Sequence, residues 1–306
     1  MSALSVRPIG PDEVELFLSF TDASVLGLRP PRQLYLDGLG RSYRPEWSWV
    51  ALRDGRVVAR VAFIGPPDAD RPEVMGSLEI GTGPDRVAVG TELVRTAYAR
   101  VGGRPGWIQF VPVDWRDRPD CRAVVEDRTT VARAAGLTLS SERVQVLRDA
   151  GGELPAGSGR LDFRPPPDRD ALLDVVARTY AGTRDAEIRR TVARDGAPAA
   201  ARRRASGFGS SPELWRLAYD AGGACVGVVV PDRGGPWPPD IAYVGVLPEH
   251  RGRGHVHDLL AEGTRLLGVG TGITGAADAA NTAMVAAFAR AGYRVVDRLL
   301  AFGQAV

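Results

Sequence analysis

Residues 247–260 read LPEHRGRGHVHDLL. Two arginines alternate with two glycines, and all three histidines of the chain lie in the stretch. The preceding segment DIAYVGVL (240–247) is a mostly apolar strand that Pro248 ends, and HDLLAEGTRLL (257–267) has helical periodicity. The order is therefore strand, glycine-rich turn, helix N-terminus. Successive backbone N–H groups in such a turn point inward, and the helix dipole adds partial positive charge. Arg251 and Arg253 add full charges. The chemistry suits a phosphate or pyrophosphate. The alternative is an ordinary connection that happens to carry arginines.

Working outward, AGGELPAGSGR (150–160) has linker composition and divides the chain into nearly equal halves, 1–150 and 151–306. The halves resemble each other. WVALRDGRVVARVAFIGP (49–66) and WRLAYDAGGACVGVVVP (215–231) both read as strand, glycine turn, strand. TELVRTAYARVG (91–102) matches HDLLAEGTRLLG (257–268) as a helix; WIQFVPV (107–113) and TGITGAA (271–277) follow as strands. TTVARAAGLTLSSERVQVL (129–147) matches MVAAFARAGYRVVDRLLAF (284–302): helix, glycine stop, final strand. This predicts mixed α/β structure in two tandem domains around central sheets. Residues 168–196 have helical periodicity, and 197–213 read as loop. Arg202, Arg203 and Arg204 form a basic run, read as a solvated helix end because no stacking aromatics are interleaved with it.

The composition removes many functions. Formal net charge over 306 residues is +2, so no global field calls for nucleic acid or a membrane. No apolar run is long enough to span a bilayer, and the first residues lack the apolar core of a signal peptide. Cys121 and Cys225 form no CxxC pattern and fit a reducing compartment or two buried thiols. A cytoplasmic protein is expected. All 39 basic residues are arginine. A Walker A loop, a Schiff-base enzyme and a pyridoxal-phosphate enzyme all need lysine and are excluded. HExxH and GxSxG are absent as well.

The glycine-rich stretch resembles motif A of the GNAT superfamily of acyl-CoA-dependent N-acyltransferases: Arg or Gln, two residues, Gly, one residue, then Gly or Ala. Arg251, Gly252, Arg253, Gly254 and His255 fit its first five places; Val256 departs at the sixth. Asp240 sits where the superfamily often carries a carboxylate. NTAMVAAFARAGY (281–293) resembles its last motif through Asn281, Met284, Phe288 and Gly292-Tyr293. The resemblance covers about 215–302. The first half shares the layout, but IGTGPDRVAVGTELV (80–94) lacks the arginine–glycine pattern. It resembles a degenerate GNAT-like domain, in a tandem arrangement similar to that of the mycothiol synthase group.

The resemblance implies two tandem GNAT-like domains, each a central mostly antiparallel sheet flanked by helices. It further implies acetyl transfer from acetyl-CoA to the amine of a small molecule, in the C-terminal domain. Freed backbone at Val244, Gly245 and Val246 would hold the pantetheine arm, and residues 251–257, His257 included, the pyrophosphate. Asn281 would hold the strand or the pantetheine, with a helix N-cap as the alternative. Asp240 is the expected general base, or else a turn residue or an electrostatic anchor. Phe288 stands where a tyrosine usually protonates the leaving thiolate. Tyr293 is expected in the core, and Tyr243 on the opposite side of the strand from Asp240. Tyr180 and Asp185 are candidate acceptor contacts. Trp215 and Trp237 are read as packing residues. His250, His255 and His257 have no acidic or cysteine partner in register, so no metal is expected. The expected partner is a small-molecule amine, without nucleic acid or membrane, and a homodimer is left open. Val256 and Phe288 favour a rival reading, a catalytically silent acyl-CoA-binding or interaction module.

Overall fold

The computed structural model describes residues 3–20, 26, 31–234, 238–268 and 270–304. Trp237 lies outside them. The chain forms two compact units: Met1–Ser141 with Arg298–Val306, and Glu142–Asp297.

Unit 1 contains β1 (Ser5–Pro8), α1 (Val14–Leu18), α2 (Pro31–Gly38), β2 (Tyr43–Arg53), β3 (Arg56–Ile64), β4 (Val74–Ile80), α3 (Arg86–Arg100), β5 (Gly106–Val111) and α4 (Pro119–Ala134). Two longer strands belong to it in part: β6 (Leu137–Arg148) and β12 (Arg294–Gln304). Its sheet runs β1-β2-β3-β4-β5-β12, and only β4 and β5 are parallel. Trp49, Phe63, Trp107 and Phe302 fill the core beneath α3 and α4, with Trp107 and Phe302 stacked at 4.7 Å. Each such buried ring or aliphatic side chain contributes about 1.5–3 kcal/mol. Inside the unit, Arg60 pairs with Glu79 and donates to the Phe17 carbonyl at 2.7 Å.

Unit 2 contains β7 (Asp162–Arg164), α5 (Arg169–Thr179), α6 (Ala186–Asp195), α7 (Ala197–Ala205), β8 (Arg216–Tyr219), β9 (Cys225–Asp232), β10 (Asp240–Val246), α8 (His255–Leu267), β11 (Ile273–Asp278) and α9 (Thr282–Arg290). Its sheet runs β7-β8-β9-β10-β11-β6, and only β10 and β11 are parallel. The valine-rich β9 is buried along most of its length. On one side Leu172 and Val176 of α5, Ala201 of α7 and Phe208, just beyond α7, pack over it; elsewhere α8 and α9 contribute Leu259, Leu260, Ala287 and Phe288 to a second cluster.

The helix over Ala197–Ala205 corrects the loop expected at 197–213. Gly196, at φ +78°, ends α6 and lets the chain turn, and Ala200, Ala201 and Ala205 form a buried stripe. Small side chains leave room for close packing, and alanine is the best helix former. The units also differ from the division at 150. The second part of β6, Arg143–Arg148, pairs with β11 in unit 2, and Arg298–Phe302 of β12 pairs with β5 in unit 1. Each half of the chain thus lends a strand to the unit built mainly by the other.

Candidate active site

The parallel pair β10–β11 is joined by the crossover helix α8 and held over two register positions, Asp240↔Thr274 and Ile241↔Gly275. Beyond Ile241 the two strands part. A bulge between Ile241 and Tyr243, on the β9 side, marks where β10 bends. From Tyr243 to Val246 the strand stays paired to β9, so its remaining N–H and C=O groups face the opening. A cavity of about 460 Å³ occupies the opening. Val244, Gly245 and Val246 line one wall, and Ala276, Ala277 and Asp278 the other. Gly245 is required there by space: a Cβ on it would lie 2.9 Å from the Thr179 methyl carbon.

At the mouth, Gly252 and Gly254 both have φ near +78° (+77° and +79°), a left-handed geometry open to glycine. Gly254 is the N-cap of α8, whose first N–H groups have no intrahelical acceptor. Gly252, Gly254, His255 and Val256 all line the cavity. His250 and His255 lie with ring centroids 6.3 Å apart, and the buried Nδ1 of each has no hydrogen-bond partner among the described residues. Burial, and then Arg160, push the His255 pKa down. A glycine cradle, a helix start and two unpartnered ring nitrogens fit an anionic, hydrogen-bonding ligand.

Arg251 also borders the cavity, but its guanidinium is turned inward. It donates to the carbonyls of Thr179 (2.6 Å), Ala181 (2.7 Å) and Val246 (3.2 Å), closing the C-terminal end of α5 onto β10. Arg253 is exposed and outside the lining. His257 is outside it too, and its Nε2 accepts from Arg290 at 3.1 Å. A different arginine reaches the loop. Ser158 N–H and Arg160 bind the buried Asp258 carboxylate in the first turn of α8, at 2.6 and 3.2 Å. Arg160 also donates to the Arg253 carbonyl at 3.3 Å. Linker composition concealed Arg160; the acidic residue four places after the αL glycine was the available signal.

The structure does not bring Asp240 to the cavity wall. It sits at the closed end of the opening, with Thr274 Oγ1 3.0 Å from Oδ1 and 3.1 Å from the Pro239 carbonyl. Thr274 Oγ1 donates to the Asp240 carboxylate, and the Pro239 carbonyl also accepts from the Thr274 N–H at 2.8 Å. Burial pushes the Asp240 pKa up, opposed by the Thr274 hydrogen bond and by Arg204. Tyr243 does line the cavity, because the bulge breaks the strict alternation that put it on the other side. Its hydroxyl is 2.6 Å from Thr179 Oγ1, which in turn donates to the Val176 carbonyl at 2.6 Å. The Tyr243 proton is therefore directed at Thr179. Burial holds its pKa up at about 12.

Asn281 accepts from the Met284 N–H at 3.4 Å as the N-cap of α9, and it lines the cavity as well. Phe288 lies against Gly275, where a Cβ would come within 3.0 Å of the ring, and packs edge-on to Tyr293. Tyr293 is in the core, its hydroxyl bonded to Thr264 at 2.8 Å. Asp185 lines the cavity as the N-cap of α6; Tyr180 is buried behind it, edge-on to Tyr243, with its hydroxyl unpartnered. Trp215 is a core residue. Among the described residues, no three His, Cys, Asp or Glu side chains converge as a metal site.

Solved structures share this architecture. A GCN5-related N-acetyltransferase from Sphaerobacter thermophilus superposes with a TM-score of 0.61 at 17% identity, over 98% of this chain and 94% of that one. A tandem GNAT protein from the clavulanic acid biosynthesis pathway gives 0.53 at 19% identity, over 99% and 100%. A GCN5-related glucosamine N-acetyltransferase region of a fungal multi-domain GH3 beta-N-acetylglucosaminidase gives 0.59 at 14%, over 99% of this chain and 38% of that one. No family model matches the sequence, and no curated protein does. The fold is that of the GNAT N-acetyltransferases, in its tandem form. No helix among the described residues is long and apolar enough to cross a membrane.

Proposed function

We propose that unit 2 transfers an acetyl group from acetyl-CoA to the amine of a small molecule, and that unit 1 serves as scaffold. The observation that carries this is the opening between β10 and β11, with the Gly252–Gly254 cradle and the start of α8 at its mouth. Acetyl-CoA, when bound, supplies an activated acyl carbon. Backbone N–H groups of the freed stretch Val244–Val246 would hold an amide-bearing arm and polarise a carbonyl. Loop N–H groups, His250 and His255 would take the phosphates, with Arg160 and Arg253 as the nearby cations.

The amine's lone pair bonds to the acyl carbon as the carbon–sulfur bond breaks. The sulfur leaves as a thiolate, the amine proton passes to solvent, and the thiol takes its proton from solvent. Solvent is assigned both transfers because Asp240 is outside the cavity lining and Tyr243 is committed to Thr179. A free thiol pKa of about 8.5 makes this tolerable near neutrality.

Calorimetric titration with acetyl-CoA, together with thiol release against a panel of amines, tests the reading. Binding with amine-dependent release is expected. Binding without release would favour the second reading, a silent acyl-CoA-binding module, to which Phe288 and Val256 lend support. Absence of binding would remove both.

A further inference from the structure

Besides Arg251, the cavity of unit 2 is lined by three arginines and two aspartates. Most of these charges are balanced within the protein. Arg143 pairs with Asp185 at 2.9 Å, and Asp185 also caps Ile188 at 3.0 Å. The buried Asp278 carboxylate accepts from the N–H groups of Ala186 and Ala280, both at 2.8 Å. Arg184 is exposed at the rim.

Arg204 is different. It belongs to the basic run 202–204, whose first two members are exposed. Position 204 lies three and four residues beyond the buried Ala201 and Ala200, so it shares the inner face of α7. One N–H reaches the Ala242 carbonyl at 2.7 Å, and the guanidinium lies 5.9 Å from the Phe208 ring. A guanidinium has five N–H donors. Among the described residues, no carboxylate lies within ion-pairing distance of it. Asp240 on β10 is near enough to feel its charge but accepts from Thr274 and forms no ion pair with it. A half-buried cation with spare donors and no ion-pair partner among the described residues is an incomplete arrangement, and an anion from outside completes it.

We propose that the acceptor amine also carries an anionic group, a carboxylate or a phosphate, which seats on Arg204; this rests on the acyl-transfer reading above. The acceptor is small, since one cavity of about 460 Å³ must hold it beside the thioester arm.

The test measures thiol release by the full-length chain at saturating acetyl-CoA, using matched amines. Alanine is set against alaninamide, and phosphoethanolamine against ethanolamine. The anionic member of one pair is expected to have the lower KM, and which pair shows it distinguishes carboxylate from phosphate. Arg204→Gln should raise that KM roughly ten- to hundred-fold while leaving the neutral amine unchanged. Arg204→Lys should recover part of the loss, and Arg202→Gln on the exposed face should change nothing. Equal KM within both pairs, or an Arg204→Gln effect of equal size on charged and neutral amines, would overturn the proposal while leaving acyl transfer intact. If no amine releases thiol, acyl transfer falls first. Calorimetric titration with the same four amines then decides Arg204, and no preference for the anionic members removes it too.

Discussion

Asp240 accepts from the Thr274 hydroxyl at the closed end of the opening and does not line the cavity. Replacing it by asparagine keeps an acceptor for that hydroxyl in place. We expect Asp240→Asn to hold kcat within about threefold, whereas loss of a true general base costs roughly 10²–10⁴. Steady-state kinetics at saturating acetyl-CoA decide between these. Asp297 gives a cleaner pH signature. Burial raises its pKa from 3.8 to about 6, and its buried Oδ1 has no partner. A carboxyl whose folded pKa is raised contributes stability below its unfolded pKa and loses it as pH rises through the folded value. Stability should therefore fall between pH about 4 and about 6. Asp297→Asn should flatten that fall, by on the order of 1 kcal/mol after solvent screening. Urea midpoints at pH 5 and pH 7 report it; equal slopes in both proteins would assign the pH dependence elsewhere.

The strand–loop–helix around 240–267 was legible because an apolar run, a proline stop, two glycines and a helical period each leave a local mark. What the side chains do there was less legible. The bulge after Ile241 turns Tyr243 toward the cavity, and a bulge has no signature in a run of apolar residues. The charge pattern showed that Arg251 is basic but not that three carbonyls would claim it. Arg204 was hidden in a run of three identical residues, although the alanines on α7 mark which face is inside. Two changes test the elements directly. Gly245→Ala puts a methyl 2.9 Å from Thr179, so β10 or α5 must shift; a stability loss of about 1–3 kcal/mol is expected by thermal unfolding, with weaker acetyl-CoA binding. Arg160→Ala removes a cation from the loop and the partner of a buried carboxylate. A roughly ten-fold weaker Kd for coenzyme A is expected, measurable by calorimetry; an unchanged Kd would confine Arg160 to holding Asp258.

At the scale of the whole molecule, the repeat was readable from matched hairpins, helices and glycine stops. In unit 1 the parallel pair β4–β5 is likewise held over only two register positions, Val74↔Gly106 and Met75↔Trp107. The exchange of strands was not readable, since the residues that choose a strand's neighbour lie far along the chain. A cut at 150/151 looks natural by composition. It removes Arg298–Phe302 from unit 1 and Arg143–Arg148 from unit 2. Fragments 1–150 and 151–306 expressed separately should aggregate or remain unfolded, and the second should bind no coenzyme A; together they should recover binding. A folded, coenzyme-binding 151–306 fragment would show that unit 2 does not need its borrowed strand.

The same exchange sets a timetable for synthesis. β5 leaves the ribosome about 190 residues before its partner in β12. At roughly 5–20 residues per second, that edge waits on the order of ten to forty seconds without its mate. Unpaired edges invite intermolecular pairing. The nascent first unit is thus expected to carry an unpaired β5 edge until β12 emerges, and slower translation through the second half should lower the yield of folded protein.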